Sequence, residues 1–137
     1  MQKTIIDSGP LIALFDRSDA YHEKVLNFLK YYEGELISSW AVITEVSHML
    51  DFNLWVQIDF LKWCEMGGIK IYDISQNELR EIRKMMEKYL DIPMDLADAT
   101  LMYIASKENI KNIVSIDSDF DIYRTLKRRS LNNLLRQ

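Results

Sequence analysis

Four short runs rich in β-branched and apolar residues, "KTIID", "ELISS", "IKIYDI" and "NIVSI", alternate with stretches whose apolar residues recur at helical spacing. That alternation constrains the fold more than any other feature of the chain. Strands separated by helices predict an α/β protein with a parallel sheet sandwiched by helices. In such sheets ligands bind beyond the carboxyl ends of the strands. The run "NIVSIDSDFD" is therefore unusual, because a core strand runs out into Asp117, Asp119 and Asp121 at every second position.

The intervening segments read as follows. Ser8-Gly9-Pro10 looks like a cap followed by proline in the first turn of a helix running towards Phe15. "AYHEKVLNFLKYY" is a helix, with Gly34 where it would stop. Ser38 or Ser39 caps the helix "WAVITEVSHMLDF", and a further helix from Leu54 to Met66 stops at Gly67-Gly68. "QNELREIRKMMEKYL" is amphipathic, whereas "MDLADATLMYIAS" is apolar nearly all round and is expected to be buried. The end, "LKRRSLNNLLRQ", is ambiguous between helix and edge strand, with the strand preferred.

At 137 residues, with no repeat, low-complexity tract or Pro/Gly/Ser linker, residues 1–137 are expected to form one domain with a real core. A 48% hydrophobic and 28% charged composition excludes a disordered chain. Cys64 is the sole cysteine, which leaves neither an internal disulfide nor a thiolate zinc cluster. The N-terminus is interrupted by Asp7 and lacks the apolar core of a signal peptide. No run approaches the roughly 20 apolar residues of a membrane span. The expectation is a cytoplasmic protein with no membrane contact. The net charge of −4 gives no global basic field to draw in nucleic acid.

The acids are placed against these trends. Asp7 falls at the carboxyl end of the first strand. Glu45 lies in the helical arc of Ala41, Val42, Val46, Met49 and Phe52, where a carboxylate is costly without a partner. Asp98 projects from a helix among Met94, Leu101, Met102 and Ala105, with Asp95 three residues earlier as a candidate N-cap. Asp117 follows the last core strand, while Asp121 reads as part of a solvated turn. The D-x-D-x-D spacing is not a calcium loop, because Ile122 stands where glycine is needed and Arg128 where a bidentate Glu is needed. Phosphate-loop, dinucleotide and serine-hydrolase motifs are absent. Carboxylates converging without cationic partners raise one another's pKa and weaken the fold. A hard dication removes that penalty, and oxygen-only ligands point to Mg²⁺ or Mn²⁺, which activate water and neutralise charge on a phosphodiester.

The pieces "IIDSGPLIALFD", "VITEV", "MDLADATLMYIA" and "VSIDSDFDIYR" occur in the order found in PIN-domain nucleases, including VapC-type toxins of toxin–antitoxin pairs. They span Ile5 to Arg124, most of the chain, and the chain resembles that family. The resemblance implies a PIN-like fold with a four- or five-stranded parallel sheet. It implies catalytic, metal-binding acids at Asp7, Glu45, Asp98 and Asp117, secondary acids at Asp95 and Asp119, and ordering hydroxyls at Ser115 and Ser8. It further implies hydrolysis of RNA to 5′-phosphate and 3′-hydroxyl ends, a homodimer, and a protein antitoxin as partner.

Candidate RNA-binding cations are Arg124, Lys127, Arg128 and Arg129, with a second cluster at Arg80, Arg83, Lys84 and Lys88. Trp40, Trp55, Trp63 and Tyr31-Tyr32 exceed what a small core needs and suggest a dimer face and an antitoxin groove. The alternative is a catalytically idle PIN-like module that binds RNA or a partner. A phosphoacceptor domain of the receiver type is disfavoured, because Ser8 and Gly9 follow Asp7 and no lysine stands near the later strand end.

Overall fold

The computed structural model describes residues 1–136. Its elements are β1 (Lys3–Ile6), α1 (Ser8–Phe15), α2 (His22–Tyr31), β2 (Glu35–Ser38), α3 (Trp40–Met49), α4 (Leu54–Glu65), β3 (Lys70–Ile71), α5 (Leu79–Lys88), α6 (Leu96–Glu108), β4 (Asn112–Val114) and β5 (Asn132–Asn133). The five strands are ordered β3-β2-β1-β4-β5 and every pairing is parallel. The expected parallel sheet flanked by helices is therefore borne out.

β1 is the middle strand, with Ile5 opposite Ile37 on one side and Ile113 on the other. Ile5, Ile6 and Val114 are wholly inaccessible and Ile37 and Ile113 nearly so, as strands covered on both faces require. The chain moves outward from β1 through β2 to β3, then returns to the other side as β4 and β5. Strand order thus reverses at β1, and the crevice there is the switch point where open sheets bind ligands. Asp7 and Asp117 both emerge at that place.

Several expected boundaries shift, each for a local reason. The cap of α1 is Asp7, whose carboxylate accepts from Ser8 N, so Ser8 is the first helical residue. α2 ends at Tyr31, before Gly34; that glycine is needed because a Cβ would lie 2.6 Å from the Gln2 carbonyl oxygen. α3 stops at Met49, which leaves Met49 and Phe52 exposed instead of on a buried arc. β3 keeps two residues of "IKIYDI", with one more sheet bond from Tyr72 N to Ser38 O. Gln76–Glu78 form a 3₁₀ turn with a capping box on Ser75 before α5 starts. α6 begins at Leu96 and runs on to Glu108, where Asn109 closes it in the left-handed conformation. The C-terminal segment does form an edge strand, but only at Asn132–Asn133, followed by a 3₁₀ turn at Leu134–Arg136.

Two buried hydroxyls fasten the helices that carry the odd acids. Ser39 caps α3 by accepting from Val42 N, and its hydroxyl lies 2.7 Å from Thr100 Oγ1 on α6. Thr100 in turn donates to Ala97 O, so Ser39 donates to Thr100. Ser39→Ala should cost about 1–3 kcal/mol, combining a lost N-cap with a lost buried bond, and urea denaturation would measure it. A loss below about 0.5 kcal/mol would mean that α3 is held by apolar packing alone.

Candidate functional site

Asp7 leaves β1 as the helix cap of α1, and this fixes both of its oxygens. Oδ1 accepts from Ser8 N at 2.7 Å and Oδ2 from Ser115 Oγ at 3.2 Å. Its backbone N–H still belongs to the sheet, donating to Val114 O. Ser8 donates its hydroxyl proton to Glu45 Oε1 at 2.5 Å, which ties α3 to the end of β1. Ser115 accepts from Asp117 N at 3.1 Å, so one buried hydroxyl touches two candidate acids.

Asp98 occupies the first turn of α6, behind an N-cap made by Asp95, whose Oδ1 accepts from Asp98 N. It is buried, as are Met94, Leu101 and Met102, in keeping with its sequence context. The Tyr123 hydroxyl donates to Pro93 O at 2.9 Å and stands 3.5 Å from Asp98 Oδ2. Tyr123 is fully buried, and no sequence pattern marks it out.

The alternating aspartates do not form a row. The strand ends at Val114, and Ser118–Asp121 is a 3₁₀ turn capped by Asp117, whose Oδ1 accepts from Asp119 N. Asp117 keeps its place beside Ser115, whereas Asp121 is turned away into an ion pair with Arg136. Local Asx chemistry overrides the period-two spacing.

Burial first, then neighbouring negative charge, raises the carboxyl pKa values. Asp7 is pushed up to about 6, against hydrogen bonds from Ser8 and Ser115 that work to lower it. Asp98 is pushed up to about 8 by burial and by the charges of Asp7, Asp95, Asp117 and Glu45. Among the described residues no salt bridge reaches Asp7, Glu45, Asp98 or Asp117. The structure thus brings all four acids into one electrostatic neighbourhood. Among the described residues, however, no three His, Cys, Asp or Glu side chains are placed to hold an ion as they stand. The donor set still suits a hard dication: Mg²⁺ keeps several waters and uses one or two carboxylates together with substrate phosphate.

The basic candidates disperse. Arg124 folds onto its own turn, donating to the carbonyls of Asp121, Ile122 and Tyr123. Lys127, Arg128 and Arg129 line a pocket with Asn109 and Lys111 at the far end of α6, where cations complement the helix dipole. Leu126 N donates to Ser106 there, eight residues along α6 from Asp98, or about 12 Å. On α5, Arg83 and Lys84 pair with Glu87 and Glu81.

No family model matches the chain. It is 23% identical over 115 residues to ribonuclease VapC26 of Mycobacterium tuberculosis strain H37Rv, covering 82% of this chain and 85% of that protein. It also superposes on the crystal structure of Mycobacterium tuberculosis VapC20, a Sarcin-Ricin loop cleaving toxin. The TM-score is 0.79 at 15% identity, covering 87% of this chain and 93% of the other. The resemblance to VapC-type PIN-domain nucleases read from the motifs is borne out, and the fold is PIN-like.

The raised carboxyls give a pH signature. A carboxyl with a folded pKa above its unfolded value binds more protons folded than unfolded, so stability falls as pH rises through that window. For Asp7 and Asp98 the window runs from about 4 to about 8. The lowered acids, Asp16 and Glu78, titrate at or below the acid edge of that window, so between pH 5 and pH 8 they oppose the trend little. Without divalent cations, Tm should drop by about 5 °C or more between pH 5 and pH 8. Asp98→Asn should flatten most of that slope and be the more stable protein at pH 8. A wild-type Tm that is flat or rising across the range would contradict the assignment.

Proposed function

We propose that this protein is a metal-dependent endoribonuclease, the toxin of a toxin–antitoxin pair. The observation that carries the reading is the pair of buried acids, Asp7 and Asp98, each raised by burial and by the charges of Glu45 and Asp117, with no salt bridge to balance them among the described residues. Such an arrangement weakens a fold and has a use only when something positive completes it. The likeness to ribonuclease VapC26 and to the VapC20 toxin supports RNA as the substrate.

In this reading Asp7, Glu45, Asp98 and Asp117 hold Mg²⁺ or Mn²⁺ directly or through water. The bound ion supplies neutralisation of phosphodiester charge and acidification of an attacking water. Ser8 orients Glu45, while Ser115 holds Asp7 and the backbone of Asp117. Asp95 fixes the first turn of α6 and so the place of Asp98; Asp119 gives its backbone N–H to the Asp117 carboxylate in the turn that follows. Lys127, Arg128 and Arg129 take up RNA phosphates away from the cut.

The chain is proposed to act as one cytoplasmic domain. Among the described residues no helix is long and apolar enough to cross a membrane. Trp40, Phe52, Leu54 and Trp55 are large exposed apolar side chains on α3, α4 and their connection, and are proposed to meet a second copy of the chain or an antitoxin segment.

An idle PIN-like binding module is the second reading, favoured by the absence of three acids poised around an ion among the described residues. Incubation of an end-labelled mixed RNA pool with Mn²⁺ or Mg²⁺ separates the two. Wild-type protein should cut, EDTA should abolish cutting, and Asp98→Asn should reduce the rate by at least about 100-fold. RNA that is bound but left intact under every metal condition would favour the module.

A further inference from the structure

We propose that Asn133 is a positioning residue, whose side-chain amide replaces a missing strand and thereby holds Ser115, and through it Asp7 and Asp117; this rests on the nuclease reading above. β5 pairs with β4 only as far as Ile113 opposite Asn133, after which the chain turns into Leu134–Arg136. Ser115 lies two positions further along, where no strand of the described residues pairs with it on that edge. The Asn133 side chain fills the gap. Ser115 N donates to Asn133 Oδ1 at 3.3 Å, and Asn133 Nδ2 donates to Ser115 O at 2.9 Å. One amide therefore takes both peptide groups of Ser115, as a neighbouring strand would.

The amide is itself held. Leu135 N donates to Asn133 Oδ1 at 3.2 Å, so two N–H groups converge on the oxygen and the carbonyl faces the nitrogen. An ordinary Asx turn would account for the Leu135 bond alone and leave the donation to Ser115 O without a role. Aspartate has the acceptor but no donor, serine falls short, and glutamine is longer by one carbon, so asparagine is the side chain that makes both bonds.

The consequence lies in the hydroxyl of Ser115, a residue 1% exposed. With its N–H and C=O both held by Asn133, Oγ sits 3.2 Å from Asp7 Oδ2 and 3.1 Å from Asp117 N. A short path thus joins the C-terminal turn to two of the proposed metal ligands. Partners behind the ligands of a metal site typically contribute about 10–100-fold in affinity or activity.

The test compares full-length wild type with Asn133→Asp, Asn133→Leu, Ser115→Ala and the double variant Asn133→Asp/Ser115→Ala. Amide hydrogen exchange followed by NMR reports the bracket without reference to activity. Asn133→Leu, which removes the acceptor of the Ser115 N–H, should lose at least about tenfold protection at Ser115 and Asp117 while Ile5 and Ile6 stay unchanged; Asn133→Asp, which keeps that acceptor and loses only the donor to Ser115 O, should lose less. With Mn²⁺ and RNA, kcat should fall about 10–100-fold with KM within about threefold, and the double variant should be no worse than the worse single variant. Unchanged exchange in Asn133→Leu, kcat within about twofold of wild type in both variants, or multiplicative losses in the double variant would overturn the proposal. If the wild type cuts no RNA, the nuclease reading fails, and the exchange comparison then decides for or against the bracket.

Discussion

The structure turns on the burial of negative charge without a counter-charge. Asp98 sits in a helix whose neighbours are core residues, and Asp7 sits at the end of the central strand. Each is forced towards its protonated form, first by burial and also by neighbouring carboxylates: Glu45 and Asp117 for Asp7, and Asp7, Asp95, Asp117 and Glu45 for Asp98. Asp16 and Glu78, away from the crevice, shift in the opposite direction. Glu78, held by Lys107, Tyr103 and the backbone of Ser75, is stabilised as an anion and clasps the turn before α5 to α6. The chain is thus able to pair its carboxylates with cations and does not do so at the crevice.

Around that crevice the fold spends its small hydroxyl residues. Ser8 bridges to Glu45, Ser115 spans Asp7 and Asp117, Ser39 locks α3 to α6 through Thr100, and Ser38 donates to Ile6 O at the end of β1. Hydroxyls suit this task because they donate to carboxylates without adding charge, so they orient the acids while leaving their mutual repulsion intact. No buried side-chain polar atom among the described residues lacks a partner.

Sequence made the sheet and the four acids legible because both rest on patterns the chain states locally. Strand runs are β-branched, Asp7 and Asp117 follow strand ends, and Asp98 stands among apolar helical neighbours. What stayed hidden depends on partners distant in sequence or on turn chemistry. The row of Asp117, Asp119 and Asp121 dissolves because an Asx-capped 3₁₀ turn competes with extension. The arc assigned to Glu45 is buried only in part, since Met49 and Phe52 are exposed; the partner it needs is the Ser8 hydroxyl, 37 residues away. Tyr123 and Asn133 make contacts across 25 and 18 residues, and neither has a local signature.

The central claim is that the acids are a cation site held partly protonated until it is filled. Calorimetric titration with Mn²⁺ alone at pH 7, repeated in buffers of different ionisation enthalpy, tests it most directly. Ligands must lose their protons to bind, so with Asp98 poised at about 8 the account predicts release of about one proton per ion. Mn²⁺ binding with no proton release, or no binding at millimolar metal, would contradict it.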